Sequence, residues 1–134
     1  MRRRPQWTGR ARAKKTVVDD IEFDSKTEAE RYGYLLILVQ AGELLRVDPH
    51  PEKFRIADKG AWYKPDFRVI LPDFTIAFEE VSSKGRNAIK RDYSRSRTAW
   101  KTAASLNPCY DWRWVTRDGK GWSVESYKPE NPSQ

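Results

Sequence analysis

The residues with the clearest chemical potential lie in two short stretches, YKPDF at 63–67 and FEEVSSKG at 78–85. Side chains on a strand alternate between its two faces, so a regular strand puts Glu80, Ser82 and Lys84 on one face and Glu79 on the other. Asp66 at the start of one strand, beside an acid at the end of its neighbour, makes a two-carboxylate site. Such a site suits Mg²⁺, which takes one or two protein carboxylates and completes its shell with water and phosphate. With a lysine nearby for the phosphoryl charge, these are the parts of metal-assisted phosphodiester hydrolysis.

The elements that position these residues follow from the pattern along the chain. The segment from Thr16 to Phe23 is short and mixed, and we expect it to be extended. Ser25 and Glu28 fit a capping box and Gly42 is a stop signal, which predicts a helix over about 25–41. Further on, the pattern predicts strands at 53–57, 62–71 and 74–82, a helix at 87–106, and a hairpin of strands at 110–116 and 122–127. This order predicts an α/β (α+β) fold with one mixed sheet and helices packed on it.

Positive charge is concentrated in two segments. The chain has 134 residues and a formal net charge of +7, yet its first eighteen residues hold no acid. The bases and acids of the remainder balance. We expect a flexible basic arm at 1–16, a single folded domain at 17–128 and a polar tail at 129–134. The arm supplies Arg2, Arg3, Arg4, Arg10, Arg12, Lys14 and Lys15, and the second helix with the turn before it supplies Arg86, Lys90, Arg91, Arg95 and Arg97. Such nearly unmixed positive faces favour contact with nucleic-acid phosphates.

Composition excludes several classes of protein. No apolar run approaches the roughly 18 residues that span a bilayer, and no apolar stretch follows the basic start as in a signal peptide. A single cysteine, Cys109, excludes an intrachain disulfide and a cysteine-based zinc site, which favours a reducing, cytoplasmic location. We expect Cys109 to be a buried small residue and His50 a solvated loop residue. The tryptophans at 100, 112, 114 and 122 are expected in the core or covering the sheet.

Taken together, these stretches resemble the PD-(D/E)XK nuclease superfamily and, more closely, a small phage-encoded family of resolvase-like endonucleases. The residues that carry the resemblance are FDSKTEAERY at 23–32, AGE at 41–43, YKPDF at 63–67 and EEV…KG at 79–85. It covers about residues 17–100. The resemblance implies a restriction-endonuclease-like core, in which helices flank a central mixed β-sheet.

The resemblance also implies roles for individual residues. Asp66 would be the bridging ligand of Mg²⁺, for which Mn²⁺ substitutes, and Glu80 the second acidic ligand, with Glu79 as the alternative. Glu28 would complete the metal site or bind its water. Lys84 would be the catalytic lysine, although the family pattern puts that lysine at the position of Ser82. Three explanations stay open: a bulge returns Lys84 to the site, the lysine's role has migrated, or efficient cleavage has been lost.

Three functions are therefore weighed. The first is a Mg²⁺-dependent endonuclease that cuts branched DNA, as a Holliday junction resolvase does. It would act as a homodimer and, if phage-encoded, in the host cytoplasm. The second is a nucleic-acid-binding module on a nuclease fold with little or no catalysis. The third is an RNA- or ribosome-associated basic protein, which would make no use of the acidic residues.

Overall fold

Two helices and nine strands are formed by the described residues, which in this computed structural model are 15–82 and 90–127, with backbone alone at 90–93. The helices are α1 (Lys26–Gln40) and α2 (Lys90–Leu106). The strands are β1 (Thr16–Val18), β2 (Ile21–Phe23), β3 (Arg46–Pro49), β4 (Phe54–Ala57), β5 (Ala61–Tyr63), β6 (Phe67–Ile70), β7 (Ile76–Ser82), β8 (Asp111–Asp118) and β9 (Gly121–Tyr127). The predicted functional residues outside the described part are Arg2, Arg3, Arg4, Arg10, Arg12, Lys14, Lys84 and Arg86, and the predicted tail lies outside it too.

Local sequence signals set the ends of α1. The Ser25 hydroxyl accepts a hydrogen bond from the Glu28 backbone N–H at 3.1 Å, which satisfies one of the free amides of the first turn. At the other end Gly42 takes a left-handed φ of 80° and closes the helix. The predicted helix at 25–41 is confirmed to within a residue at each end. For α2 the described part agrees with the prediction, and residues 87–89 lie outside it.

The central sheet has five strands in the order β3-β6-β7-β8-β9. Strands β7 and β8 are parallel, and the other neighbours are antiparallel. The connection between the parallel pair contains α2. Two separate hairpins, β1–β2 and β4–β5, complete the described strands, so the prediction that all strands share one sheet was wrong. The predicted α/β class, with a central mixed sheet and helices packed on it, is confirmed.

Two details of the strand prediction were wrong. The single strand predicted at 62–71 is two strands, β5 and β6, separated by Lys64, Pro65 and Asp66. Proline has no N–H for a sheet ladder, so it interrupts the pairing at this point. Strand β3 was not predicted, because Pro49 at its end and Pro51 just beyond it are typical of a turn. As an edge strand, β3 tolerates Pro49 at its end.

The two helices cover opposite faces of the sheet. Ala77 and Val81 of β7 belong to one buried cluster, with Ala29, Tyr32 and Leu35 of α1 among its other members. Phe78 belongs to a second cluster, which joins Trp100, Ala103 and Ala104 of α2 with Trp112 and Trp114 of β8. The odd-numbered residues of β7 therefore face α1 and the even-numbered ones face α2. This alternation decides the positions of two neighbouring glutamates in the candidate site.

The tryptophan prediction is confirmed and the cysteine prediction is wrong. Trp100, Trp112 and Trp114 are buried, and Trp122 is partly buried against the cluster on the α1 face. Cys109 is exposed, because it lies in the turn between α2 and β8 and not on the strand itself. Neither described helix is long and apolar enough to cross a membrane.

Candidate active site

Asp66 lies where β6 and β7 separate at one end of the sheet. Its backbone N–H donates to the Glu79 carbonyl at 2.9 Å, and its carbonyl accepts from the His50 N–H at 3.0 Å. Its side chain then takes a place in the sheet, since Oδ2 accepts the Val81 backbone N–H at 2.8 Å. The interruption of strand pairing at Pro65 thus leaves the carboxylate fixed between the two strands. The other carboxylate oxygen, Oδ1, accepts no hydrogen bond from any described residue.

Glu80 enters the same end of the sheet from β7, on the face towards α2. Its Oε1 accepts a hydrogen bond of 2.7 Å from the Tyr63 hydroxyl at the end of β5. Burial, together with the negative charge of Glu28, raises the pKa of Glu80 to about 7. The Tyr63 hydrogen bond acts in the opposite direction.

Glu28 reaches this region from the first turn of α1. The residue is only 5% exposed, and its Oε1 has no hydrogen-bond partner in the structure. Burial raises the pKa of this carboxyl, and the charge of Asp24 adds to the effect, while His50 opposes it. A buried carboxylate oxygen without a donor is unfavourable unless a proton or a cation supplies the missing interaction.

The three carboxylates act on one another. Burial raises the pKa of Asp66 well above its usual range, and the charges of Glu80 and Glu28 raise it further. Residues that are separate in sequence are therefore brought together from α1, the start of β6 and the middle of β7. Within 15–82 and 90–127, no three acidic, histidine or cysteine side chains form a ready-made metal cage. The arrangement fits a cation such as Mg²⁺, which needs only one or two carboxylates and would offset the repulsion between them.

Glu79, the alternative second ligand, has a different partner. Its side chain is fully buried on the α1 face. Both of its carboxylate oxygens accept hydrogen bonds from Arg31, each 2.8 Å long. Arg31 is itself buried and lies 5.3 Å from the ring centres of Tyr34 and Trp122. Since this bidentate ion pair occupies Glu79, Glu80 is the glutamate available to the candidate site.

The predicted catalytic lysine, Lys84, lies outside the described residues, and its role stays a prediction. Ser82, where the resemblance would place that lysine, is the last residue of β7 and pairs with Thr116 of β8. The strand is therefore regular up to Ser82 beside β8.

The predicted phosphate-binding bases have different environments. Arg95 is exposed on α2. Arg97 makes a bidentate ion pair with Glu125, with bonds of 3.0 and 2.9 Å, and it lies over the rings of Trp100 and Trp114. Lys15 pairs with Glu22 at 3.1 Å. Lys90 and Arg91 are placed by their backbone in the first turn of α2.

Sequence reasoning missed the residues that surround Asp66. A cavity of about 550 Å³ is lined by Asp24, His50, Pro51, Lys53, Lys64, Pro65 and Asp66. His50 is exposed in a loop, as expected, but its Nε2 also lies 3.0 Å from the Glu22 carbonyl and its ring centre 5.5 Å from that of Phe23. Tyr63 was also missed as the partner of Glu80, as was Arg31 as the partner of Glu79. For Tyr63 the signal was its place three residues before Asp66 at a strand end.

Comparison with known families places the chain in one of them. A family model described as a protein of unknown function, DUF1064, matches residues 8–102, and the chain belongs to this family. The match includes Glu28, Asp66 and Glu80 and ends within α2, before β8 and β9 begin. No curated protein matches the sequence.

Proposed function

We propose that this protein is a metal-dependent DNA endonuclease that hydrolyses phosphodiester bonds and selects branched DNA, as a Holliday junction resolvase does. The observation that carries the proposal is the convergence of Glu28, Asp66 and Glu80 at one end of the sheet. Each has a raised pKa, and part of each rise comes from another member of the set or, for Glu28, from Asp24. Buried carboxyl groups that raise one another's pKa are typical of functional sites.

The contrast between Glu79 and Glu80 supports a metal-binding role for Glu80. Glu79 and Glu80 are adjacent, yet only Glu79 has an arginine partner. If the cluster served stability alone, the same kind of neutralisation would be expected at Glu80. Instead Glu80 receives a single neutral donor, Tyr63, which leaves its charge uncompensated. An uncompensated acid beside two others favours a cation ligand over a structural role.

The residues divide the work of such a site between them. Asp66 and Glu80 would hold Mg²⁺, or Mn²⁺ in its place, and Glu28 would complete the site or bind its water. A bound metal supplies a water of lowered pKa and stabilises the charge that develops on the phosphate oxygens. Tyr63 orients Glu80 through its hydrogen bond, and the Val81 amide holds Asp66. Lys84 and the basic residues of α2 and the arm would bind the DNA phosphates.

Selection of branched DNA and a homodimeric state follow from the resemblance to resolvase-like endonucleases. Two paired incisions across a junction require two active sites, so we propose a homodimer. A cytoplasmic location, which for a phage-encoded protein means the host cytoplasm, fits this activity. Sedimentation of the purified chain, alone and with a four-way junction, measures the oligomeric state directly.

A cleavage assay tests the proposed activity. The chain is incubated with linear duplex, single strand, flap and four-way junction in Mg²⁺, in Mn²⁺ and in EDTA. We expect the four-way junction to be cleaved in Mg²⁺ and in Mn²⁺ and to stay intact in EDTA. Asp66→Asn should lower the rate by more than about a hundredfold, which exceeds the usual effect of losing an outer partner of a metal ligand. It should leave junction binding largely intact. Glu30→Gln, which removes an exposed acid from the same helix as Glu28, is the matched control and should cut normally.

A second candidate is a nucleic-acid-binding module with little or no catalysis. The observation that favours it is Ser82, which stands where the resemblance to resolvase-like endonucleases would place the catalytic lysine. The same assay separates the two functions, because a binding module retains junction affinity and cuts none of the four DNAs in either metal. Cleavage that is lost both in EDTA and in Asp66→Asn excludes the binding module.

A further inference from the structure

The β4–β5 hairpin has one apolar face and one cationic face. Phe54 pairs with Tyr63 across the hairpin, and both side chains pack into the cluster beneath α2. The next pair along the hairpin is Arg55 and Trp62, which point away from that cluster because side chains alternate along a strand. All the charge of the two strands is therefore on the outer face.

The open end of the hairpin adds two lysines to that face. Lys53 and Lys64 immediately precede Phe54 and follow Tyr63, so they flank the last cross-strand pair. Both lysines line the cavity that Asp66 borders. The cavity and the outer face of the hairpin are thus continuous, and Lys53 belongs to both.

These cations lack the acidic partners that other bases have. Arg31, Arg46, Arg68, Arg97 and Arg113 each pair with a carboxylate, whereas no described residue forms an ion pair with Lys53, Arg55 or Lys64. The nearest acid in sequence, Glu52, pairs with Arg68 at 2.7 Å. Three unpaired cations on this face, two of them lining the cavity beside Asp66, favour an anionic ligand.

Trp62 adds an aromatic surface to the same face. It is 44% exposed, in contrast to the fully buried Trp100 and Trp112. The Lys53 ammonium lies 4.6 Å and the Arg55 guanidinium 5.7 Å from the centre of its ring. An exposed ring among cations is the combination that binds single-stranded nucleic acid, in which phosphates meet cations and an unpaired base stacks on the ring.

We propose that the cavity beside Asp66 and the outer face of the β4–β5 hairpin form a binding surface for an unpaired DNA strand, with Lys53, Arg55 and Lys64 on the phosphates and Trp62 against a base. This inference rests on the proposed nuclease function and makes it more specific. The strand that enters the site has at least one unpaired base on the hairpin side of the cleaved bond. A flap offers such a base in its single-stranded arm, and a junction offers one only where a pair at the branch point opens, whereas an intact duplex offers none.

The test measures binding without cleavage, by the fluorescence anisotropy of labelled DNA in EDTA with the full chain. The DNAs are a single-stranded oligonucleotide, a flap with a single-stranded arm and a blunt duplex. Trp62→Ala should weaken binding to the single strand and the flap about tenfold, because a base loses its stacking partner. It should change duplex binding much less. Trp62→Phe keeps an aromatic face and should stay within about twofold of the wild type.

Two matched controls lie at the other end of the sheet. Phe74→Ala removes a more exposed aromatic residue, 77% exposed in the β6–β7 turn, and should leave DNA binding unchanged. Lys53→Gln with Lys64→Gln should lower the salt dependence of single-strand binding by about 0.7 per lysine in the logarithmic slope. Arg46→Gln removes one charge far from the cavity, and Arg68 still pairs with Asp48; this variant should leave the slope unchanged.

The outcomes distinguish this inference from the function on which it rests. If the wild type binds the flap and Trp62→Ala binds it equally well, the inferred hairpin surface is wrong while the nuclease proposal stands. If Trp62→Ala weakens duplex and single strand alike, the ring contacts the backbone and not an unpaired base, which also overturns the inference. Failure of the wild type to bind any of the three DNAs overturns both. Thermal unfolding of each variant confirms that it is folded.

Discussion

Replacing Glu80 by glutamine should stabilise the metal-free protein at alkaline pH. Burial and Glu28 raise the pKa of Glu80 from 4.5 to about 7. Between these two pH values Glu80 is therefore protonated in the folded state and ionised in the unfolded state. Its contribution to the free energy of unfolding is fully present below about pH 4.5, falls as the pH rises, and is lost above about pH 7. At about 1.4 kcal/mol for each pKa unit, the loss is about 3 kcal/mol.

Glutamine keeps the shape and the acceptor while it removes the charge. Its amide oxygen accepts the Tyr63 hydroxyl hydrogen bond in place of the carboxylate. Denaturant unfolding in EDTA at pH 5 and pH 8 measures the effect. We expect Glu80→Gln to be more stable than the wild type by about 3 kcal/mol at pH 8, with a much smaller difference at pH 5. Added Mg²⁺ should stabilise the wild type at pH 8 by mass action and should have little effect on the variant.

The neighbouring glutamate provides a control of opposite sign. Glu79→Gln removes one partner of a fully buried ion pair and leaves the Arg31 guanidinium without its counter-charge. Breaking a buried pair in this way costs about 3–5 kcal/mol. If Glu80→Gln has the same stability as the wild type at pH 8 and the same pH dependence, the burial argument is refuted. If both glutamine variants shift stability in the same direction, the assignment of the two glutamates to different environments is refuted.

Three further predictions concern single positions. Tyr63→Phe removes the hydroxyl that lowers the pKa of Glu80, so a Mg²⁺ titration near pH 7 should show weaker binding than in the wild type, and unchanged affinity would contradict the role of this hydrogen bond. Gly42→Ala should destabilise the protein by about 1 kcal/mol in urea unfolding, because alanine at a φ of 80° is strained even though nothing lies within 4 Å of the added carbon; no loss would show that α1 can end in another conformation. Cys109, which is exposed and free, should react with a thiol reagent in the native state at the rate of an unfolded thiol, and protection from the reagent would place it inside an interface.

The fold could be predicted where local signals are strong. The caps of α1 at Ser25 and Gly42 define its ends, and the alternating residues of β8 and β9 around a glycine-rich turn define the last hairpin. The prediction failed at 62–71, because the apolar residues on both sides of Lys64-Pro65-Asp66 suggest one continuous strand. Only the tertiary structure shows that the first part belongs to a separate hairpin. That break is also what frees the Asp66 side chain to bond the Val81 amide.

The candidate site could be predicted in its acids but not in their partners. Asp66 and Glu80 were predicted from their positions on neighbouring strands and Glu28 from the family resemblance, and the structure brings the three together. The choice between Glu79 and Glu80 needed the burial of Arg31, which lies 48 residues before Glu79 in the chain. Nothing in the sequence around Arg31 indicates that this arginine is buried or that Glu79 is its partner. The surroundings of Asp66, including Lys53 and Lys64, depend on the register of a short hairpin that strand patterns alone do not specify.

Arg31 has a consequence for genetic experiments on this family. Its guanidinium joins α1 to two strands at once, through Glu79 of β7 and the Trp122 ring of β9. Glu28 lies three residues earlier on the same helix, so the position of this acid depends on that anchor. If the proposed activity is correct, a screen that scores only its loss would rank substitutions at Arg31 beside those at Asp66, although Arg31 is buried and out of reach of DNA. Scoring abundance together with activity separates the two, because only the Arg31 variants should be depleted in the cell.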